Sequence, residues 1–202
     1  MLHIRAVPVN LLEVLTDLQE KTSANGFALA GGTSLALRFG HRLSVDLDFF
    51  TGDDFESLAL AEKMGVGPDS IIGQAKGTLQ LLIHQVKVEF LKHSYRQLAP
   101  HDCIQNIYLW SVPDVAAMKL NAIANRGSKK DFYDIAALLD QHTLETLIGY
   151  YKEKYNPASL LMVIRSLSWF DDADDEPNPV SFSGVTWPEI KEKISNAIRN
   201  LE

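Results

Sequence analysis

From residue 8 to 22 the apolar positions Val9, Leu12, Leu15 and Leu18 fall at helical spacing, which predicts a helix with one buried stripe. The pattern then shortens. "FALAGG", from Phe27, reads as a short strand ending in glycines. "TSLALRFG" reads as about two helical turns with a Thr or Ser N-cap, apolar Leu35, Leu37 and Phe39, and Gly40 as the stop. "LSVDLDFFTGDD" alternates, with Val45, Leu47 and Phe49 on one side of a strand and Ser44, Asp46 and Asp48 on the other, before "TGDD" turns the chain. "FESLALAEKMG" predicts a helix. "GTLQLLIH" and "VKVEFLKH" predict two strands with a short connection, and in the second Lys87 and Glu89 face opposite to Val86, Val88 and Phe90.

From about residue 98 the period becomes helical. In "WSVPDVAAMKLNAIANRG", Ser111 stands three residues before Asp114, Pro113 falls in the first turn and Gly127 is the stop. A helix over 113–126 follows, with Lys119, Ala122, Ile123 and Arg126 on one face. "KKDFYDIAALLDQ" begins another helix, with Asp131 at its positive end and Asp134 one turn later. "TLETLIGYYKEKY" and "PASLLMVIRSLSWF" supply two more, "DDADDEPNPVSFSGVTW" reads as an acidic loop, and "PEIKEKISNAIRNL" closes with a proline-started amphipathic helix. No internal repeat is visible. The expected class is α+β (α/β): a mixed sheet with flanking helices over residues 1–97, then a mainly helical domain over 98–202 that completes a cleft.

Composition narrows this picture. A chain of 202 residues with 46% hydrophobic content can bury a sizeable core. The single cysteine, Cys103, excludes an internal disulfide framework, and the N-terminus lacks a basic region followed by an apolar run, so a cytoplasmic address is expected. No apolar stretch approaches the roughly 18 residues of a membrane span, so no membrane association is expected. The net charge of −7 speaks at first against a nucleic-acid partner. Its distribution softens that. Residues 113–130 hold Lys119, Arg126, Lys129 and Lys130 against the lone Asp114, while five acids crowd into Asp171–Glu176.

The candidate chemistry centres on Asp46 and Asp48. Two residues apart on a strand, they leave the same face about 6.5 to 7 Å apart at the backbone. Such hard oxygen ligands suit Mg2+, which keeps waters and completes its shell with phosphates. A bare D-x-D is also what a solvated strand edge looks like. Three neighbours favour chemistry. "GGTS" at 31–34 sits between a strand and a helix start, where free N–H groups and the helix dipole attract anions and glycines let phosphate approach. It matches neither the P-loop nor the Rossmann pattern. Glu89 is either a third carboxylate that would complete a two-metal site or an exposed glutamate paired with Lys87. The face of Lys119 and Arg126 could neutralise a polyphosphate.

The order "GGTSLALRFGHRLSVDLDFF", "KLNAIANRGSKKDFYDIAALL", "WFDDADDEPNP" and "VTWPEIKEKI" closely resembles the AbiEii/AbiGii-type nucleotidyltransferase toxins, a branch of the DNA polymerase β-like nucleotidyltransferase superfamily. The resemblance runs over nearly the whole chain. It implies a nucleotidyltransferase fold and a toxin of a toxin–antitoxin or phage-defence module that moves NMP from an NTP to an acceptor hydroxyl, the tRNA 3′ end foremost, with Mg2+ or Mn2+ and with a cognate antitoxin as partner. By position, it implies that Gly31, Gly32 and the hydroxyls of Thr33 or Ser34 hold the triphosphate, and that Asp46 and Asp48 bind metal. Lys119 would contact the triphosphate, Asp131 and Asp134 form the acidic block needed for activity, and Arg126 and Lys130 contact phosphate or acceptor. A degenerate, non-catalytic member that binds NTP or a partner protein is the second reading, and the intact D-x-D speaks against it. A haloacid-dehalogenase phosphatase, which also uses D-x-D, is disfavoured because Phe50 stands where that class needs Thr.

Overall fold

The computed structural model describes residues 1–155 and 157–201. Helix α1 (Val9–Ala24) leads to strand β1 (Ala28–Leu29), α2 (Gly31–Phe39), β2 (Asp46–Thr51), α3 (Ser57–Met64), β3 (Ile71–Ala75), β4 (Thr78–Ile83) and β5 (Val86–Lys92). Two short strands, β6 (Asp102–Ile104) and β7 (Ile107–Leu109), precede the helices α4 (Val112–Asn125), α5 (Lys129–Leu138), α6 (Leu144–Lys154), α7 (Leu160–Leu167), α8 (Asp171–Asp174) and α9 (Trp187–Arg199).

The strands form one mixed sheet in the order β3-β4-β5-β2-β1-β7-β6. β2 pairs parallel with β5 and antiparallel with β1, so the strand that carries the aspartates is central. The alternation read along β2 is realised. Leu47 and Phe49 are fully buried with Leu11 and Leu15 of α1 and Phe90 of β5, while Asp46 and Asp48 leave the other face. A second core gathers the C-terminal helices around Trp110, Leu120 and Phe132, and Ala30 and Leu35 join it from the start of α2. Helix α2 is therefore wedged between the two cores, which holds its N-terminus still relative to β2.

Four features depart from the pattern. β3 pairs antiparallel with β4 at the edge of the sheet where no strand is predicted, because none of its positions is buried and so no apolar alternation marks it. The sheet continues past residue 98, because β7 pairs parallel with β1 through Leu29 and Leu109 and brings β6 with it. Strands of three residues are too short to show a period. Helix α2 begins at Gly31, with Ala30 as its cap, rather than at Thr33 or Ser34. The acidic loop contains one helical turn, α8.

Candidate active site

The parallel pairing of β2 with β5 sets Asp46 opposite Lys87 and Asp48 opposite Glu89. Their side chains open on a cleft of about 580 Å³ that Gly31, Gly32, Lys119, Arg126 and Lys130 also line, a volume within the range of small-molecule sites. Both glycines sit at close approaches, and Gly31 is required there. A Cβ on Gly31 would stand 2.2 Å from Asp48 Oδ2, and one on Gly32 would stand 2.3 Å from Arg42 Nη2. Gly31 also has φ of 62°, a left-handed conformation that disfavours other residues.

Among the described residues, neither Asp46 nor Asp48 makes a side-chain hydrogen bond or salt bridge. Asp48 is raised to about 6, chiefly by burial and next by the charge of Glu89, with Asp46 adding to it and Lys119 and Lys130 opposing. Two adjacent carboxylates without a counter-ion, facing an open cleft, fit a hard divalent cation that takes its other ligands from water or phosphate. No group of three or more His, Cys, Asp or Glu gathers as a cation cage among the described residues. Glu89 lies beside Asp48 in register, but its Oε1 accepts from Gln80 Nε2 at 2.6 Å and pairs with Lys87 Nζ at 2.8 Å.

Behind the cleft lies a buried ion cluster. Asp134 receives Arg42 twice, Nε at 2.7 Å and Nη2 at 2.8 Å, as well as His41 Nε2 at 2.8 Å and Lys119 Nζ at 2.6 Å. Asp131 receives Lys119 at 2.9 Å and Arg126 through Nε at 2.7 Å and Nη2 at 2.9 Å. Both aspartates are fully buried. Burial opposes the charge of Asp134, yet Arg42 and Lys119 outweigh it and hold its carboxyl well below the usual range. Burial likewise opposes Asp131, and Lys119 and Arg126 lower it. Lys119 thus joins the two acids, and the half-exposed Arg126 runs from Asp131 into the cleft lining.

The structure brings Gly31, Gly32, Asp46, Asp48, Glu89, Lys119, Arg126 and Lys130 to one cleft and leaves four expected residues out of its lining. Asp131 and Asp134 stand behind it. Thr33 Oγ1 donates to the carbonyl of Asp46 and lies 2.8 Å from Ser44 Oγ, and Ser34 Oγ donates to the carbonyl of Gly31 at 3.0 Å. Both hydroxyls are buried and brace α2 against β2 and against its own first turn. Sequence reasoning missed Arg42, which clamps Asp134, and Asn178, which lines the cleft from the acidic loop. The one signal for Arg42 was its place between the two motifs, four residues before Asp46.

The mixed sheet, with paired carboxylates on its central strand beside a glycine-started helix, has the fold of solved nucleotidyltransferases. MenT4, the nucleotidyltransferase toxin Rv2826c of Mycobacterium tuberculosis H37Rv, is similar in structure with a TM-score of 0.64 at 16% identity, over 95% of this chain and 84% of that one. JHP933 from Helicobacter pylori is similar with a TM-score of 0.60 at 15% identity, over 98% of this chain and 92% of that one. The family model for the nucleotidyl transferase AbiEii toxin of type IV toxin–antitoxin systems matches residues 13–178. An uncharacterized Aquifex aeolicus (strain VF5) protein, aq_aa25, is 37% identical over 171 residues, 81% of this chain and 83% of that protein. The chain belongs to the AbiEii nucleotidyltransferase toxin family, and it is by that membership a nucleotidyltransferase. Among the described residues, no helix is long and apolar enough to cross a membrane.

Proposed function

We propose that the protein transfers a nucleoside monophosphate from an NTP to an acceptor hydroxyl, the tRNA 3′ end foremost, in the cytoplasm and with Mg2+ or Mn2+. The observation that carries this reading is the pair of uncompensated carboxylates, Asp46 and Asp48, sharing a cleft with the start of α2. The first-turn N–H groups at Gly31 and Gly32 and the helix dipole would take an anionic phosphate. Arg126 and Lys130, both in the cleft lining, would neutralise the rest of the triphosphate.

Asp46 and Asp48 would hold the cation, which when bound neutralises charge on the transferring phosphate. The acceptor oxygen forms a bond to the α-phosphorus in line as the bond to the β-phosphate oxygen breaks; pyrophosphate leaves, and the hydroxyl proton passes to solvent. Lys119 projects positive charge toward the cleft while Asp131 and Asp134 fix it, which makes these acids positioning residues. Replacing Asp46 and Asp48 together with Ala and measuring incorporation of labelled NTP into bulk tRNA tests the reading. Incorporation equal to that of the wild type would overturn it.

A further inference from the structure

If the cleft takes an NTP, as proposed above, the triphosphate has its place at α2 and the cations, and the nucleoside must find another wall. The structure holds one ready. Residues 176–182 form a strap tied down at both ends. At its start, Glu176 Oε2 accepts from Ser128 Oγ at 2.9 Å and from the Lys129 backbone N–H at 2.8 Å. The buried Lys129 ammonium donates to the carbonyl of Asp174 at 3.2 Å, to that of Glu176 and to Asn178 Oδ1 at 3.3 Å. Farther along, the Leu43 N–H donates to the carbonyl of Val180 at 2.8 Å and the Phe182 N–H to that of His41 at 3.0 Å. Between these ties Pro177, Asn178 and Pro179 line the cleft, and the two prolines stiffen that stretch.

The strap is chemically unlike the phosphate side. Four acids, Asp171, Asp172, Asp174 and Asp175, precede it, and its own Glu176 reaches the cleft, so it disfavours a triphosphate and tolerates a neutral group. Phe50, Val115 and Met118 supply apolar lining to the same cleft, suited to the face of a base. A lysine ammonium can only donate, so Oδ1 of Asn178 faces Lys129, and Nδ2 has no protein partner among the described residues. We propose that the strap is the nucleoside wall of the cleft and that Asn178, through its free Nδ2 donors, reads an acceptor atom on the base edge and selects among NTPs. Because the strap is already fastened, little ordering opposes that contact.

The test uses the whole chain with Mg2+. Each of the four NTPs is titrated calorimetrically into the wild type, Asn178→Ala and Asn178→Asp, and KM and kcat for transfer to tRNA are measured beside it. Loss of one hydrogen bond predicts that Asn178→Ala weakens the preferred NTP about tenfold and narrows the spread among the four, with kcat nearly kept. Asn178→Asp, which offers an acceptor instead, is expected to reorder the four. Exposed Asn178 leaves thermal stability unchanged in both. An unaltered ranking in both variants, or a wild type that binds all four alike, overturns the strap's role and leaves the transfer reading standing. Incorporation at the wild-type level in the Asp46→Ala/Asp48→Ala protein instead overturns the transfer reading, and a wild type that binds no NTP overturns both.

Discussion

Asp46 and Asp48 on β2 and Asp131 and Asp134 on α5 are the same residue type at spacings that place each pair on one face, two apart on a strand and three apart on a helix. Their surroundings are opposite. The strand pair meets no cation of the chain at salt-bridge distance among the described residues, whereas the helix pair shares Arg42, Lys119, Arg126 and His41. An acid left unneutralised at an open cleft is chemically free to take an external cation, as the proposed function requires. An acid saturated with buried cations braces the groups around it, and under the proposed function its influence on chemistry would run through the groups it holds.

The comparison breaks first on activity. The Asp46→Ala/Asp48→Ala protein is expected to lose about 10³-fold or more in NTP incorporation, the scale of several kcal/mol of lost charge stabilisation, while thermal unfolding occurs no lower than in the wild type. Asp134→Ala tests the other pair. It strands Arg42, Lys119 and His41 without their shared partner, and chemical denaturation should register a loss of about 3 to 5 kcal/mol. Asp131→Ala should cost less, because the half-exposed Arg126 can turn to water. If Asp134→Ala were as stable as the wild type and merely inactive, the two pairs would not differ in the way described.

A smaller effect has the opposite sign. Asp48 is raised from 3.8 to about 6, so keeping it charged costs folding energy at neutral pH. Asp48→Asn should therefore stabilise the metal-free protein by about 1 kcal/mol at pH 7.5, after discounting for partial exposure, while abolishing metal-dependent turnover. Stability as a function of pH sharpens this further. The cost from Asp48 is fully present above about pH 6 and is relieved as pH falls toward 3.8. His93 pulls the other way, because burial and Lys154 depress it from 6.5 to about 4, so the unfolded chain takes up the proton first and stability falls over that window. The stability of Asp48→Asn minus that of the wild type, measured with EDTA present, isolates the first contribution and should shrink between pH 7.5 and 4.5. Below the ordinary carboxylate range, Asp131 and Asp134 dominate. Their stabilisation is present above the unfolded value of 3.8 and is lost as pH falls through their lower folded values.

Which residues share the candidate cleft was partly legible in the chain because those signals are local. The two-residue period of β2 put Asp46 and Asp48 on the face away from Leu47 and Phe49, and the glycines before α2 marked a place of close approach. Helical spacing put Lys119 and Arg126 on one face, and both reach the cleft. The face of Glu89 was legible but its role was left open between a third carboxylate and a partner of Lys87, and the structure shows its ion pair with Lys87. Its second partner, Gln80, follows from the register of the β4–β5 hairpin, which no single strand reveals.

The linear pattern alone gave the longer helices, the polarity of β2 and β5 and the resemblance to the family, while the short strands β6 and β7 emerged only from their pairing in the sheet. Which charges are free and which are spent was decided only by the tertiary structure. Arg42 reaches Asp134 across 92 positions and Lys129 reaches Asn178 across 49. A charge's role depends on what lies within about 4 Å of it, and such neighbours are chosen by the packing of elements rather than by spacing along the chain.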